Sequence, residues 1–350
     1  MADTIKPILA LTMGDPAGVG PEVIARAWID PDIHQRAKLL VVGHPAFLRK
    51  AIDLVGSQVS LVELSSLNDF ADMVASGSQM PILNVCHDDA VAAPPGVVDP
   101  RSGEAAYRCV TAATRGALER TIDGLVTAPL SKSALHAAGY HYPGHTELLA
   151  EMCGVRDFAM MLYLPPGDLV RAPAGLGVAH VTLHQSMRSI FEDLTPQTIL
   201  TKCRLADDVM RRLGVAKPRV AVCALNPHAG EDGLFGDEES KVISPAVAAA
   251  QGVGIDARGP YPTDTLMMRA RDGEFDAVVA MYHDQGHIAL KLLGMHAAVN
   301  ITLGLPIVRT SVAHGTAFDR AWRGEARAEG MVAAIQTAAK LVTSRMPSTR

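Results

Sequence analysis

The sequence predicts an α/β protein built on an open sheet of short buried strands, and three observations carry that expectation. At 350 residues the chain exceeds one ordinary compact core, so it forms two domains or one large α/β unit. Short unbroken apolar runs such as Ala277-Val278-Val279-Ala280 have the pattern of strands buried on both faces. Those runs break abruptly into segments rich in glycine, proline and histidine, at the carboxyl ends where open α/β sheets place their ligands. The sharpest break is Tyr282-His283-Asp284-Gln285-Gly286-His287, read as a loop after the strand spanning Phe275 to Met281.

Composition narrows the class. Hydrophobic residues make up 48% and charged residues 20%, as in a soluble globular protein. A formal charge of -5 argues against nucleic acid or an anionic membrane surface as the main partner. The five cysteines, Cys86, Cys109, Cys153, Cys203 and Cys223, form no CxxC pair and fit reduced, buried thiols in a cytoplasmic protein. The amino terminus lacks the pattern of a signal peptide, and no run approaches the roughly 20 apolar residues of a membrane span.

Taken in order, Pro7 to Met13 reads as a first strand, followed by the turn Gly14-Asp15-Pro16-Ala17-Gly18-Val19-Gly20-Pro21-Glu22 and a helix from Val23 to Trp28. Glycines allow close backbone approach to a ligand, and Pro21 suits a first helical turn whose free N–H groups attract anions. The turn is not a GxGxxG fingerprint, and a ligand-free strand-to-helix turn fits it too. Strands are expected at Lys38–Val42, Pro81–Val85 and Leu125–Thr127, with a helix from Ser102, taken as its cap, through Leu118. Next, His145 and Thr146 open an amphipathic helix with Thr146 in the capping position.

The middle of the chain continues the alternation. Strands at Phe158–Tyr163 and Gly177–Thr182 lead to His184, while His180, inside the second run, reads as a packed core histidine. A helix from Thr195-Pro196 to Leu213 is closed by Gly214, and a strand at Arg219–Leu225 exits into Asn226-Pro227-His228-Ala229-Gly230. Tyr261 to Thr265 reads as a turn carrying the carboxylate of Asp264. Lys291, the segments Val299–Thr302 and Leu305–Thr310, the loop Ser311–Asp319 and a small-residue helix from Met331 to Ser344, placed at the surface, complete the chain.

Two constellations follow from this order. His184, His228 and His283 each leave an apolar strand, 44 and 55 residues apart, and could converge on one crevice. Three neutral imidazoles with an open position suit a catalytic divalent metal, most naturally zinc, cobalt or nickel, although three unrelated loop histidines would give the same spacing. His145, Thr146, Lys291, Asn300 and Arg309 form a second set suited to an anion such as phosphate. Together they point to a small acidic substrate whose hydroxyl or carbonyl oxygen meets the cation.

Five segments then match a known family over nearly the whole chain. Gly14-Asp15-Pro16-Ala17-Gly18-Val19-Gly20-Pro21-Glu22, Gly144-His145-Thr146-Glu147, Asn226-Pro227-His228-Ala229-Gly230-Glu231, Tyr282-His283-Asp284-Gln285-Gly286 and Asn300-Ile301-Thr302-Leu303-Gly304-Leu305-Pro306 resemble the signatures of 4-hydroxythreonine-4-phosphate dehydrogenases. The resemblance implies a two-domain α/β/α architecture of the isocitrate/isopropylmalate dehydrogenase-like fold. It places residues 1–140 with 300–350 in a first domain that includes the nucleotide loop, and 141–299 in a second with metal and dimer contacts. The active site is then expected in the interdomain cleft of a homodimer, with metal ligands shared between subunits.

Residue by residue, the resemblance implies a divalent cation (Zn, Co, Mg, Mn or Ni) on His184, His228 and His283. Substrate phosphate and polar groups fall to His145, Thr146, Lys291, Asn300 and Arg309, with Asp264 and Lys291 in acid–base or supporting catalytic roles. His314-Gly315-Thr316-Ala317-Phe318-Asp319 resembles the loop that holds the adenosine of NAD, through His314, Gly315, Thr316, Ala317 and Asp319. The implied reaction is NAD-dependent oxidation of a secondary alcohol followed by loss of carbon dioxide from a β-keto acid.

Within the family, the segments Gly233–Glu239, Gly286-His287-Ile288 and Ala317–Trp322 are similar to the subgroup acting on 4-phospho-D-threonate and 4-phospho-D-erythronate. The pyridoxal phosphate pathway enzyme and a terephthalate cis-dihydrodiol dehydrogenase stand as alternatives, the latter through His180-Val181-Thr182-Leu183-His184. From other classes, a metal-dependent hydrolase using the histidines and Asp264, or a silent metal- and anion-binding protein, also fits the residues.

Overall fold

The computed structural model describes residues 6–70, 73 and 76–344, so the expectation for the first five residues lies outside it. The chain divides into two compact units, Met1–Val155 with Leu305–Arg350, and Arg156–Gly304. The first unit opens with β1 (Ile8–Thr12), α1 (Gly20–Trp28), α2 (Pro31–Arg36), β2 (Lys38–Gly43), α3 (Pro45–Leu54) and β3 (Ser60–Leu64). It continues through β4 (Gln79–Asn84), α4 (Pro100–Leu118), β5 (Gly124–Thr127), α5 (Lys132–Ala137) and α6 (His145–Met152). The second unit follows with β6 (Ala159–Leu164), β7 (Leu176–His180), α7 (Ile190–Asp193), α8 (Pro196–Arg212), β8 (Arg219–Cys223) and α9 (Ser244–Gly252). It ends with β9 (Asp256–Tyr261), α10 (Thr263–Arg271), β10 (Ala277–Ala280), α11 (His283–Gly294) and β11 (Val299–Leu303), and the first unit resumes with β12 (Val308–Val312) and α12 (Glu329–Thr343).

In the first unit the strand order is β3-β4-β2-β1-β5-β12, parallel throughout. In the second it is β11-β6-β7-β10-β8-β9, with β6 antiparallel to both its neighbours and the other pairs parallel. Every residue of β10 is buried, which is why its sequence shows no polar alternation. Among the described residues no helix is long and apolar enough to cross a membrane.

Several local expectations are corrected. The segment after β10 is not a loop: Tyr282 is extended and α11 begins at His283, with the carboxylate of Asp284 in the first turn, where the helix dipole favours it. Asp264 likewise sits in the first turn of α10 rather than in a free turn. The cap of α4 is Asp99, whose carboxylate accepts from Arg101 N at 2.8 Å, and Ser102 instead donates to the Asp99 carbonyl. Gly144, not Thr146, caps α6. Far from lying at the surface, α12 buries nine residues, and Met331, Ile335, Leu341 and Val342 contribute about 2 kcal/mol each by leaving water. Strand β3 went unread because none of its residues is buried: at the sheet edge they are exposed or half-buried, so no unbroken apolar run is required.

Candidate active site

In the second unit β7, β8 and β10 run parallel, so their carboxyl ends share one edge of the sheet. His184 follows β7 and His283 follows β10, and their ring centres lie 5.9 Å apart at 44°. They line a cleft of about 520 Å³ together with Leu183, Ser186, Tyr282 and Asp284. An imidazole nitrogen binds a transition metal at about 2.0–2.1 Å, which puts each ring centre about 3.2 Å from the ion and makes the pair's spacing compatible with one shared cation. His283 Nδ1 lies 2.7 Å from Asp284 Oδ1, an arrangement that keeps the proton on Nδ1 and leaves the lone pair on Nε2.

His228 is not added to this pair. It is exposed in the segment after β8, its ring 6.2 Å from that of Phe235. Among the described residues no three His, Cys, Asp or Glu side chains gather as a metal site within one chain. The His228 segment has an unusual backbone, with His228, Ala229, Gly230, Glu231 and Asp232 all left-handed. Buried Glu239 anchors it, accepting from Leu225 N at 2.8 Å, Asn226 N at 2.7 Å and Asn226 Nδ2 at 2.9 Å. Burial pushes the Glu239 carboxyl up, but the bonds from Asn226 and Leu225 outweigh it and leave the group below its usual value.

The other predicted residues of this unit fall on neighbouring elements. Asp264 is exposed at the start of α10, with Oδ1 accepting from Thr265 N at 2.9 Å. Lys291 lies on α11, eight residues beyond His283 and so on the same helix face. Asn300, on β11, directs Nδ2 at Met160 Sδ, 3.2 Å away, and its Oδ1 is sealed from solvent with no hydrogen-bond partner.

The first unit holds His145, Thr146 and Arg309. Arg309 is 2% exposed and donates to Thr127 Oγ1 at 2.6 Å. Burial lowers its pKa to about 9 while Glu147 opposes the shift, so it stays charged at neutral pH. Burial, with the nearby Arg309 charge second, holds His145 well below its ordinary pKa, and its buried Nε2 has no partner. A buried guanidinium beside a neutral imidazole with an unmet nitrogen is chemistry suited to an anion.

The predicted nucleotide loop lies in the same unit. His314 Nδ1 is 2.9 Å from Gly315 O, Ala317 is left-handed, and exposed Asp319 faces Arg320 at 3.8 Å. The loop is fastened to the turn before α1: Val19 N donates to Thr316 O at 3.0 Å and Trp322 Nε1 to Pro16 O at 3.0 Å. The buried carboxylate of Glu22 accepts from the amides of Trp322 and Gly324. That turn needs Gly14, whose φ is +70° and where a Cβ would lie 2.3 Å from Pro129 O.

Sequence reasoning missed the residues that brace these sites. Gln285 accepts from Met281 N at 2.7 Å and donates to Ala224 O at 2.6 Å and Thr263 Oγ1 at 2.9 Å, tying the starts of α10 and α11 to the exit of β8. His287 stacks on His283, their ring centres 3.7 Å apart. The four-residue spacing of His283 and His287 was visible, but only on a helix does it place two rings together.

Comparison with known proteins gives these sites a context. The family described as pyridoxal phosphate biosynthetic protein PdxA matches residues 35–338. A D-threonate 4-phosphate dehydrogenase of Pectobacterium atrosepticum is 46% identical over 95% of this chain and 99% of that protein. A 4-hydroxythreonine-4-phosphate dehydrogenase of Beijerinckia indica is also 46% identical, over 95% of this chain and 94% of its own. A crystal structure of 4-hydroxythreonine-4-phosphate dehydrogenase from Klebsiella pneumoniae superposes with a TM-score of 0.83 at 42% identity, over 96% of this chain and all of that one. With matching segments along nearly its whole length and the same fold, the chain belongs to the PdxA family.

Proposed function

We propose that the protein is an NAD-dependent, divalent-metal-dependent dehydrogenase that oxidises a phosphorylated hydroxy acid and releases carbon dioxide. The substrate is 4-phospho-D-threonate or 4-phospho-D-erythronate. The observation that carries this reading is the His184–His283 pair lining the cleft, in a chain 46% identical to a relative named for D-threonate 4-phosphate. An equally similar relative named for 4-hydroxythreonine 4-phosphate makes that amino acid the second reading.

A divalent cation bound here would supply Lewis acidity toward the hydroxyl and carbonyl oxygens of the substrate. His184 and His283 hold it, Asp284 fixes the His283 tautomer, and His228 completes the set from a second copy of the chain. Support for that copy comes from α11 and the residue that closes it, where Ile288, Leu292 and Met295 form an exposed apolar stripe, Leu292 being 83% exposed. Asp264 is the acid–base group in reach of solvent, and Lys291 and Asn300 orient polar groups of the substrate. Thr146 and His145 receive the phosphate, while buried Arg309 supplies positive charge close to His145. The loop from His314 to Asp319 takes the adenosine of NAD. Five free cysteines fit a reducing, cytoplasmic setting.

The test is stoichiometry. Chelator-treated protein given NAD and 4-phospho-D-threonate should form neither reduced nicotinamide nor carbon dioxide, and restored divalent metal should produce both in equal amounts. Reduced nicotinamide without carbon dioxide would reject decarboxylation, and full activity in chelator would reject the metal.

A further inference from the structure

Helix α11 carries His283 and His287 one turn apart, with ring centres 3.7 Å apart and planes inclined by 12°. His287 is 6% exposed and its Nδ1 lies 3.1 Å from His180 Nε2. His180, fully buried, in turn places Nδ1 3.4 Å from the carbonyl of Met160.

These contacts fix proton positions. A carbonyl only accepts, so His180 carries its proton on Nδ1 and, being neutral in an apolar strand, offers a bare Nε2. That lone pair accepts the proton of His287 Nδ1, and His283 donates from its own Nδ1 to Asp284. The result is a directed chain running from α11 into β7. Its packing depends on Gly286, where a Cβ would stand 2.5 Å from His180 Nε2 and 2.6 Å from Val178 Cγ1.

We propose that His287, held by His180, is a positioning residue that fixes the ring plane of His283 and thereby the direction in which His283 Nε2 meets a divalent cation. The stack blocks rotation of His283 on one face, while the bond to His180 prevents His287 from turning with it. Neither residue touches the cation. The inference rests on the metal-binding reading of His283 and concerns how firmly that ligand is held.

The experiment is Co²⁺ titration of chelator-stripped protein, followed by visible absorption, on wild type, H283A, H287L and H287Q. Partners that orient a metal-bound histidine are worth about 10- to 100-fold in metal affinity, so H287L should weaken Co²⁺ binding by that factor. H287Q keeps a donor for His180 Nε2 and should recover part of the loss, which a general loss of packing would not allow. If wild type and H283A bind Co²⁺ alike, the metal reading falls and the inference with it. If H283A loses Co²⁺ but H287L binds as wild type does, the inference alone falls. A second measurement needs no variant: in ¹⁵N-histidine protein, a scalar coupling across an N–H···N bond between two imidazoles is expected, and its absence overturns the relay.

Discussion

Glu239→Ala should disorder the His228 segment far more than it destabilises the protein. Four non-glycine residues there, His228, Ala229, Glu231 and Asp232, are left-handed. At the low end of about 1 kcal/mol each, they store roughly 4 kcal/mol. Against this, Glu239 accepts three hydrogen bonds from Leu225 and Asn226. Bonds to a charged group contribute about 1.5–3 kcal/mol each, enough to outweigh the strain. Removing the carboxylate lets the segment relax and return its donors to water, so at the low end of both ranges the net loss of global stability is only about 0.5 kcal/mol. Amide hydrogen exchange over residues 224–236 should therefore accelerate about tenfold or more, with Co²⁺ affinity falling alongside. Exchange as slow as in wild type would refute the claim that Glu239 holds the strained turn.

Four further outcomes follow. Asp15 is fully buried and its pKa is raised by burial from 3.8 to about 6, so the folded state binds the extra proton between those values and stability falls as pH rises through them. Urea unfolding should show a decline on the order of 3 kcal/mol across that window, with no further change from this group above it, and Asp15→Asn should remove the slope. His228→Ala should abolish Co²⁺ binding and turnover while the melting temperature stays close to wild type, since the side chain is exposed. Arg309→Met, which keeps the buried bulk, should raise KM for the phosphorylated substrate about tenfold or more and that for NAD hardly at all. With the proposed second copy seated on α11, Leu292→Glu should leave the monomer fold intact, the residue being 83% exposed, but shift sedimentation toward the monomer.

How far the sequence alone could be read depended on whether a signal was local. Strands such as β1, β2, β5 and β10 were legible because burial on both faces demands unbroken apolar runs. The edge strand β3 carries no such demand and was invisible. The His184–His283 approach could be anticipated from two parallel strands sharing an exit edge, whereas His228 is built on a left-handed turn that no propensity announces. Reading α11 as a loop hid the consequence of its histidine spacing. Gln285 and Glu239 escaped notice because an amide or carboxylate that accepts from distant backbone amides looks, in sequence, like any surface residue.

The central claim is a metal-dependent oxidation of a phosphorylated hydroxy acid at the histidine cleft. Its most direct test is formation of reduced nicotinamide from NAD with 4-phospho-D-threonate, 4-phospho-D-erythronate, 4-phosphohydroxy-L-threonine and a terephthalate cis-dihydrodiol, each with and without chelator. The account predicts a chelator-sensitive rise with one of the first two substrates. A rise with the dihydrodiol alone, or an undiminished rate in chelator, would contradict it.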